Sequence, residues 1–222
     1  MNENNQPTEK RIKQRNFIDK LIDTPVEFLI RMDISPNMLS FLGIVSIIMG
    51  SLFIYLNFIH GCIFLAWIPP AFIFLAGVFD VFDGEVARRT NRAGLEGAYL
   101  DSNVDRISDA IILLGLIYSS FLDYVWGSLI LFLSLMISYS RSRAEALEVN
   151  MKGVGIMERA ERLIILIVGL AIEIWVYKIS YWLFGTPLSI FKTYFIPIFT
   201  FLLVFTVAQR FYHTYKVLSQ NN

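Results

Sequence analysis

The sequence predicts an all-α integral membrane protein with six transmembrane helices and an N-terminal interfacial amphipathic helix. Of its 222 residues, 55% are hydrophobic and 15% are aromatic, and the mean hydropathy is +0.56. Soluble domains reach about 45–50% apolar residues on a count that includes glycine, so this chain is unusually apolar. Six segments approach the roughly 20 apolar residues that a helix needs to cross a bilayer. Basic residues also cluster in alternate connections between these segments.

Two segments precede the first span. Residues 1–15 are polar and basic, and we expect a disordered tail; no apolar core follows that would indicate a cleaved secretory signal. Residues 16–33 place apolar side chains at helical spacing, and Thr24–Glu27 has the form of a capping box with proline at the first helical position. These features predict an interfacial helix, with a longer disordered tail as the alternative. Residues 16–222 would form a single membrane domain with its spans inside 36–214.

The third predicted span differs from the others in carrying charge. Asp101, Asp105, Arg106 and Asp109 lie near its start, and charged side chains in hydrocarbon are costly and usually functional. The predicted spans, in order, are Met38–Phe58, Cys62–Phe82, Ala98–Leu122, Val125–Ser140, Leu163–Trp182 and Leu188–His213.

The distribution of basic residues predicts the orientation. Lysine and arginine cluster in the N-terminal segment and in the second and fourth connections, whereas the first and third connections have none. The positive-inside rule therefore places both termini and the even connections in the cytoplasm of a multi-pass protein of the cell membrane. The formal net charge is zero, so no global basic field indicates a nucleic-acid partner.

Four aspartates lie at the predicted cytoplasmic ends of the second and third spans. Asp80 and Asp83 are three residues apart, and Asp101 and Asp105 are four apart, so each pair shares one helix face. Carboxylates gathered in this way repel one another unless cations neutralise them, and Mg²⁺, Mn²⁺ and Ca²⁺ prefer such oxygen ligands. Two metals held by carboxylates are a common arrangement for displacement at phosphorus. The alternative for each aspartate alone is a solvated carboxylate at a helix end.

The aspartates belong to a longer pattern. It reads Asp80-x2-Asp83-Gly84-x2-Ala87-Arg88-x8-Gly97-x3-Asp101-x3-Asp105. This string resembles the signature of the CDP-alcohol phosphotransferase family at each defining position. The resemblance implies a membrane enzyme with six transmembrane helices, usually a homodimer, that transfers a phosphatidyl-type group from a CDP-linked lipid to an alcohol and releases CMP. It also implies a two-metal site for Mg²⁺ or Mn²⁺.

The resemblance assigns roles to individual residues. Asp80, Asp83 and Asp101 would coordinate the metals, and Asp105 would approach the metals and act as the catalytic general base. The residues expected to bind the CDP group are Asn37, Ser40, Asp80, Gly84, Ala87, Arg88 and Gly97.

A second basic cluster, in the fourth connection, bears on the acceptor. It is dominated by arginine, whose planar fork suits phosphate; ordinary positive-inside charge with helix ion pairs such as Glu158 with Arg162 is the alternative. The stretches 143–146 and 155–163 resemble the branch of the family that uses inositol phosphate, and the ERAER sequence looks more like its archaeal members. This resemblance implies that CDP-archaeol or CDP-diacylglycerol is the donor and L-myo-inositol 1-phosphate the acceptor. The acceptor phosphate would be bound by Arg141, Arg143, Arg159, Arg162 and Arg210.

Other functions remain open at this point. A phosphatidylglycerophosphate synthase would need a similar arginine pocket for its phosphorylated acceptor. An enzyme that uses CDP-inositol as donor shares these motifs. A divalent cation transporter is a distant alternative, because intramembrane carboxylates also line cation paths.

Overall fold

The computed structural model describes residues 22–220, and every regular element in that range is helical, without a strand. The disordered tail expected at 1–15 lies outside the described residues. The helices are α1 (22–31), α2 (Pro36–Tyr55), α3 (Ile63–Ala66), α4 (Ile68–Arg89), α5 (Leu95–Tyr118), α6 (Tyr124–Glu145), α7 (Arg159–Phe184) and α8 (Ile196–Gln220), with a 3-10 turn at Phe58–His60 and a π-helical turn at Phe191–Phe195.

Five segments of the described chain are long and apolar enough to cross a membrane. The predicted third span corresponds to α5, which is 24 residues long but is too charged near its N-terminal end to meet the same criterion of composition. The structure therefore supports a helical membrane protein with five candidate spans, which are Pro36–Tyr55, Ile63–Arg89, Tyr124–Glu145, Arg159–Phe184 and Phe191–Gln220.

At their polar ends the long helices extend beyond the apolar segments that predicted them, whereas at their other ends several stop short of the predicted bounds. The second predicted span ended at Phe82, but α4 continues to Arg89 and so carries the first half of the aspartate pattern on one helix. Pro69 and Pro70 lie in the first turn of α4, where a missing backbone N–H removes no helical hydrogen bond. Hydropathy marks only the part of a helix that can lie in hydrocarbon, whereas backbone hydrogen bonding continues into the polar ends.

Helix α1 packs against the ends of α2 and α4. Val26 is buried together with Leu39 and Val86, and Asp23 forms an ion pair with Arg89. Residues 22–24 are already helical, so the expected capping box, with Thr24 as the residue before the helix, is wrong. The position of α1 at a membrane surface stays a prediction.

The long helices pack so that one end of the bundle opens into a cavity. Helix α2 lies against α4 and α5, α6 lies against α8 and α5, and α4 lies against α7. The α2–α5 approach is close at Gly115, where an added Cβ would be 2.3 Å from Ser51 Oγ. Ser51 Oγ also donates a hydrogen bond of 2.7 Å to the carbonyl oxygen of Ile111. These contacts hold α5 against α2, which also packs against α4, so the two halves of the aspartate pattern lie on helices that share one neighbour.

Candidate active site

A cavity of about 1140 Å³ lies between α4, α5, α6 and α7, with one residue of α8 and the start of α1 at its edge. Its lining is chemically mixed. Carboxylates and arginines from the four helices contribute to the lining, and so do apolar side chains of α4 and α7, namely Ile73, Phe74, Val78, Val81, Ile164 and Ile167. Such a cavity can hold a ligand that is charged at one end and hydrocarbon at the other.

Three of the four predicted aspartates meet in this cavity. Asp80 extends from α4, and Asp101 and Asp105 extend from neighbouring turns of α5. One carboxylate oxygen from each lies within 4.8 Å of the other two, a spacing that allows a single cation to contact all three. Oxygen ligands of this kind are those that Mg²⁺ and Mn²⁺ prefer.

The fourth aspartate lies beside this group. Asp83 is buried, and its Oδ2 accepts a hydrogen bond of 2.6 Å from Ser40 Oγ on α2. Asp83 and Ser40 line a small neighbouring cavity to which Asp80 and Arg159 also contribute. The predicted metal ligand Asp83 and the predicted nucleotide contact Ser40 are therefore hydrogen-bonded to each other at the edge of the carboxylate group.

Arg159 lies against the carboxylates. As the first residue of α7, it places Nη1 2.7 Å from Asp80 Oδ1 and 2.8 Å from Asp105 Oδ1. Its side chain is only 18% exposed. The family resemblance assigned Arg159 to the acceptor phosphate, and the structure adds a direct contact with two of the expected metal ligands.

Arg162 lies one turn further along α7 and pairs with Asp109. Its Nη2 is 2.5 Å from Asp109 Oδ2, and the two side chains are 7% and 11% exposed. Helical spacing alone suggested Glu158 as the partner of Arg162, but Glu158 instead lies 4.0 Å from Arg141 Nη1. The partner of the Arg162 side chain is thus a residue of α5 and not a neighbour on α7.

The remaining predicted arginines separate into different environments. Arg141 lines the cavity and donates a hydrogen bond to Glu145. Arg143 is exposed and lies outside the cavity lining among the described residues, because it is two positions from Arg141 on the same helix and so faces another direction. Arg210 reaches the cavity edge, but it is 2% exposed and donates to the backbone carbonyls of Val154 and Ile137.

The residues expected around the CDP group lie near the C-terminal end of α4 and the starts of α2 and α5. A Cβ added at Gly97 would meet no atom within 4 Å, and one added at Gly84 would come closest to the guanidinium of Arg88, at 3.4 Å. Arg88 is exposed and pairs with Glu85. Ala87 is partly buried and Asn37 is exposed. This surface adjoins the carboxylates; it is open at Gly97, whereas at Gly84 the guanidinium of Arg88 lies at contact distance.

The cavity also holds two charged residues, noted in the third predicted span, to which the sequence pattern gave no role. Arg106 lines it and donates to Ser142 Oγ at 3.3 Å, and Asp109 lines it through its pair with Arg162. Both have a signal in the sequence, because they follow Asp105 directly and by one helical turn. Charged residues at those positions of an apolar helix are expensive without a partner.

Comparison with known proteins decides the family. The family model for CDP-alcohol phosphatidyltransferases matches residues 33–217. The chain belongs to the CDP-alcohol phosphatidyltransferase family. The match includes all four aspartates and the arginines of the cavity, so the geometry above is that of a phosphatidyltransferase of this family.

Curated relatives of this phosphatidyltransferase include archaeal lipid synthases. The archaetidylinositol phosphate synthase of Methanothermobacter thermautotrophicus is 46% identical over 45% of this chain and 50% of its own length, so the match spans half of that relative. The archaetidylinositol phosphate synthase of Pyrococcus horikoshii is 35% identical over 68% of this chain and 79% of its own length.

A solved structure shares the fold of this phosphatidyltransferase. The phosphatidylinositol phosphate synthase of Mycobacterium tuberculosis, crystallised with CDP-DAG bound, is 25% identical, with a TM-score of 0.69 over 86% of this chain and 92% of that chain. The same mycobacterial protein has also been crystallised in complex with manganese and citrate.

Proposed function

We propose that this phosphatidyltransferase transfers the lipid phosphate group of a CDP-lipid to L-myo-inositol 1-phosphate and releases CMP. One observation carries the proposal: the carboxylate group and the cavity arginines open onto the same space, which also has an apolar wall. A CDP-lipid needs cations for its pyrophosphate and an apolar surface for its chains. A phosphorylated acceptor needs a second positively charged site for its phosphate, which an acceptor without a phosphate, such as serine or free inositol, would not.

The carboxylates fit a divalent-metal centre. Asp80, Asp101 and Asp105 would hold Mg²⁺ or Mn²⁺ together, and Asp83, at the edge of the group, would serve a second ion. Bound metal would offset the charge that develops on the pyrophosphate oxygens and on the leaving CMP. The manganese complex of the mycobacterial relative supports this assignment.

The surface beside the metal centre would bind the nucleotide. Gly97 leaves space for it, and Arg88, which lies beside Gly84, would exchange its contact with Glu85 for a phosphate oxygen of the donor. The other proposed contacts are those of the family pattern, Asn37, Ser40, Asp80 and Ala87.

The transfer itself would be an in-line displacement. The acceptor hydroxyl oxygen forms a bond to the β-phosphorus of the donor as the bond between that phosphorus and the bridging oxygen breaks, and CMP leaves with that oxygen. Asp105, which belongs to the carboxylate group and contacts Arg159, would take the hydroxyl proton. The acceptor phosphate would be held by Arg141, Arg159 and Arg162, which line the cavity. Arg210 would support this pocket by holding the backbone at Val154.

The same proposal includes the membrane arrangement and the donor lipid. Helix α5 would cross the membrane in addition to the five candidate spans, which makes six. Its charged side chains would lie in the cavity at the cytoplasmic side. Two copies would form a homodimer, as the family resemblance implies. The archaeal relatives favour an archaeol-type donor, and the mycobacterial relative bound to CDP-DAG favours a diacylglycerol-type donor.

The deciding experiment is CMP release by the purified protein in detergent with Mg²⁺ or Mn²⁺. CDP-archaeol and CDP-diacylglycerol are each combined with inositol 1-phosphate, glycerol 3-phosphate, free inositol or serine, and CDP-inositol is tested as donor in parallel. We expect release with inositol 1-phosphate and a CDP-lipid, and its loss in Asp105→Asn. If glycerol 3-phosphate were the only acceptor that gave release, the proposed reaction class would stand and inositol 1-phosphate would be wrong as the acceptor. Metal uptake into vesicles without CMP release would instead indicate a transporter.

A further inference from the structure

Arg159 contacts the residues of two proposed sites. Its Nη1 lies 2.7 Å from Asp80 Oδ1 and 2.8 Å from Asp105 Oδ1, and both aspartates belong to the group whose oxygens can hold a metal ion. Its side chain also lines the cavity beside Arg141 and Arg162, where the acceptor phosphate would bind. The guanidinium of Arg159 thus belongs both to the proposed metal site and to the proposed site for the acceptor phosphate.

A guanidinium and a divalent cation compete for the same carboxylates. Both are positive, and a metal that takes oxygens of Asp80 and Asp105 removes the charge that attracts Arg159. The existing contact is also incompletely hydrogen-bonded. Although Arg159 Nη1 lies 2.8 Å from Asp105 Oδ1, the contact lacks hydrogen-bond geometry, and among the residues described neither this buried oxygen nor the buried Arg159 Nε has a hydrogen-bond partner. Because a poorly satisfied buried ion pair gains little over its desolvation penalty, this contact is suited to exchange.

We propose that Arg159 is a positioning residue that couples metal binding to acceptor binding. When a divalent cation binds the carboxylates, the guanidinium leaves Asp80 and Asp105 and pairs with the acceptor phosphate. The inference rests on the proposed function for the identity of that phosphate. Binding free energies are reciprocal, so an anion that draws Arg159 away must raise the metal affinity by the factor by which metal raises the affinity for the anion. The site therefore binds its acceptor well only when its metal is in place.

Arg141 offers a matched control. It lines the same cavity and carries the same charge, but its guanidinium pairs with Glu145 and Glu158. Removing Arg141 lowers the positive charge of the cavity without freeing the metal carboxylates. A general electrostatic effect would appear in both arginine variants, whereas competition for the carboxylates would appear in one.

The test measures metal binding directly, without turnover. Free Mn²⁺ is followed by electron paramagnetic resonance while the whole chain is titrated in neutral detergent. Titrations without protein correct for the Mn²⁺ that the added phosphate ester binds in solution. Allosteric couplings are commonly 5–150-fold, and we expect Arg159→Gln to bind Mn²⁺ about tenfold more tightly than wild type. Arg141→Gln should change the affinity by less than about twofold. Inositol 1-phosphate should raise the Mn²⁺ affinity of the wild-type protein and leave the Mn²⁺ affinity of Arg159→Gln unchanged.

Two results would overturn the coupling. One is an Mn²⁺ affinity that does not increase in Arg159→Gln, or that increases as much in Arg141→Gln. The other needs only wild-type protein, and so holds even if the variant fails to fold: an Mn²⁺ affinity that inositol 1-phosphate does not change. CMP release at saturating metal separates this outcome from failure of the proposed function. Release with inositol 1-phosphate but no effect on Mn²⁺ affinity would refute the coupling alone.

Discussion

The pair of Asp109 and Arg162 gives the sharpest test of the arginine pocket. Asp109 Oδ2 lies 2.5 Å from Arg162 Nη2 in a largely buried setting, and both residues line the cavity. We predict that Asp109→Asn raises the KM for inositol 1-phosphate and leaves the KM for the CDP-lipid unchanged. Asparagine retains an acceptor oxygen but removes the charge that orients the guanidinium toward the cavity.

The expected magnitude follows from the kind of hydrogen bond that is lost. A hydrogen bond to a charged group contributes about 1.5–3 kcal/mol and a neutral one about 0.5–1.5 kcal/mol. The midpoints of these ranges differ by about 1.25 kcal/mol, which corresponds to about an eightfold loss of kcat/KM for the acceptor. Removing one partner of a buried ion pair also destabilises the fold, so kinetics are compared per folded enzyme.

The assay is CMP release with varied acceptor at saturating donor and metal. Asp109→Asn, Arg162→Met and the double variant form a cycle, and the double variant should be little worse than the poorer single variant, with a coupling of about 1 kcal/mol or more. Asp123→Asn is the control, because that aspartate is exposed and pairs with Lys192 outside the cavity. Effects that add to within about 0.5 kcal/mol, or a donor KM that rises as much as the acceptor KM, would refute the reasoning.

Other contacts give predictions for stability and activity. Gly115→Ala should destabilise the protein by about 1–3 kcal/mol, because the new Cβ would lie 2.3 Å from Ser51 Oγ; thermal unfolding in detergent measures this, and Gly77→Ala, which meets no atom within 4 Å, should not destabilise. Arg143→Ala should change the acceptor KM by less than about twofold, since Arg143 lies outside the cavity lining. A tenfold rise of that KM, measured by steady-state kinetics, would show instead that Arg143 contributes to acceptor binding. Glu173→Gln should lower stability by about 1–2 kcal/mol without changing the specific activity of folded enzyme, because this fully buried carboxylate accepts two backbone N–H groups at the start of the π-helical turn. Chelation with EDTA should abolish CMP release and added Mg²⁺ or Mn²⁺ should restore it, whereas activity that persists in EDTA would contradict the metal assignment.

The local pattern was sufficient to predict the helices and the carboxylate faces. Apolar segments of about the length of a bilayer can satisfy their backbone in lipid only as helices or closed barrels, and the continuous apolar runs favoured helices. Spacings of three and four residues place Asp80 with Asp83, and Asp101 with Asp105, on shared faces. The same pattern could not predict that α4 continues past Phe82 to Arg89, because hydropathy ends before the helix does.

The sequence by itself determined the helical class, the apolar spans and the presence of a carboxylate site, because each depends on residues within a few turns of one another. Only the tertiary structure decided how the arginines are used. It placed Arg159 against Asp80 and Asp105, paired Arg162 with Asp109, and left Arg143 outside the cavity. The paired residues are 53 or more positions apart in the sequence. Their contacts depend on the rotation and axial position of each packed helix, which no local spacing specifies.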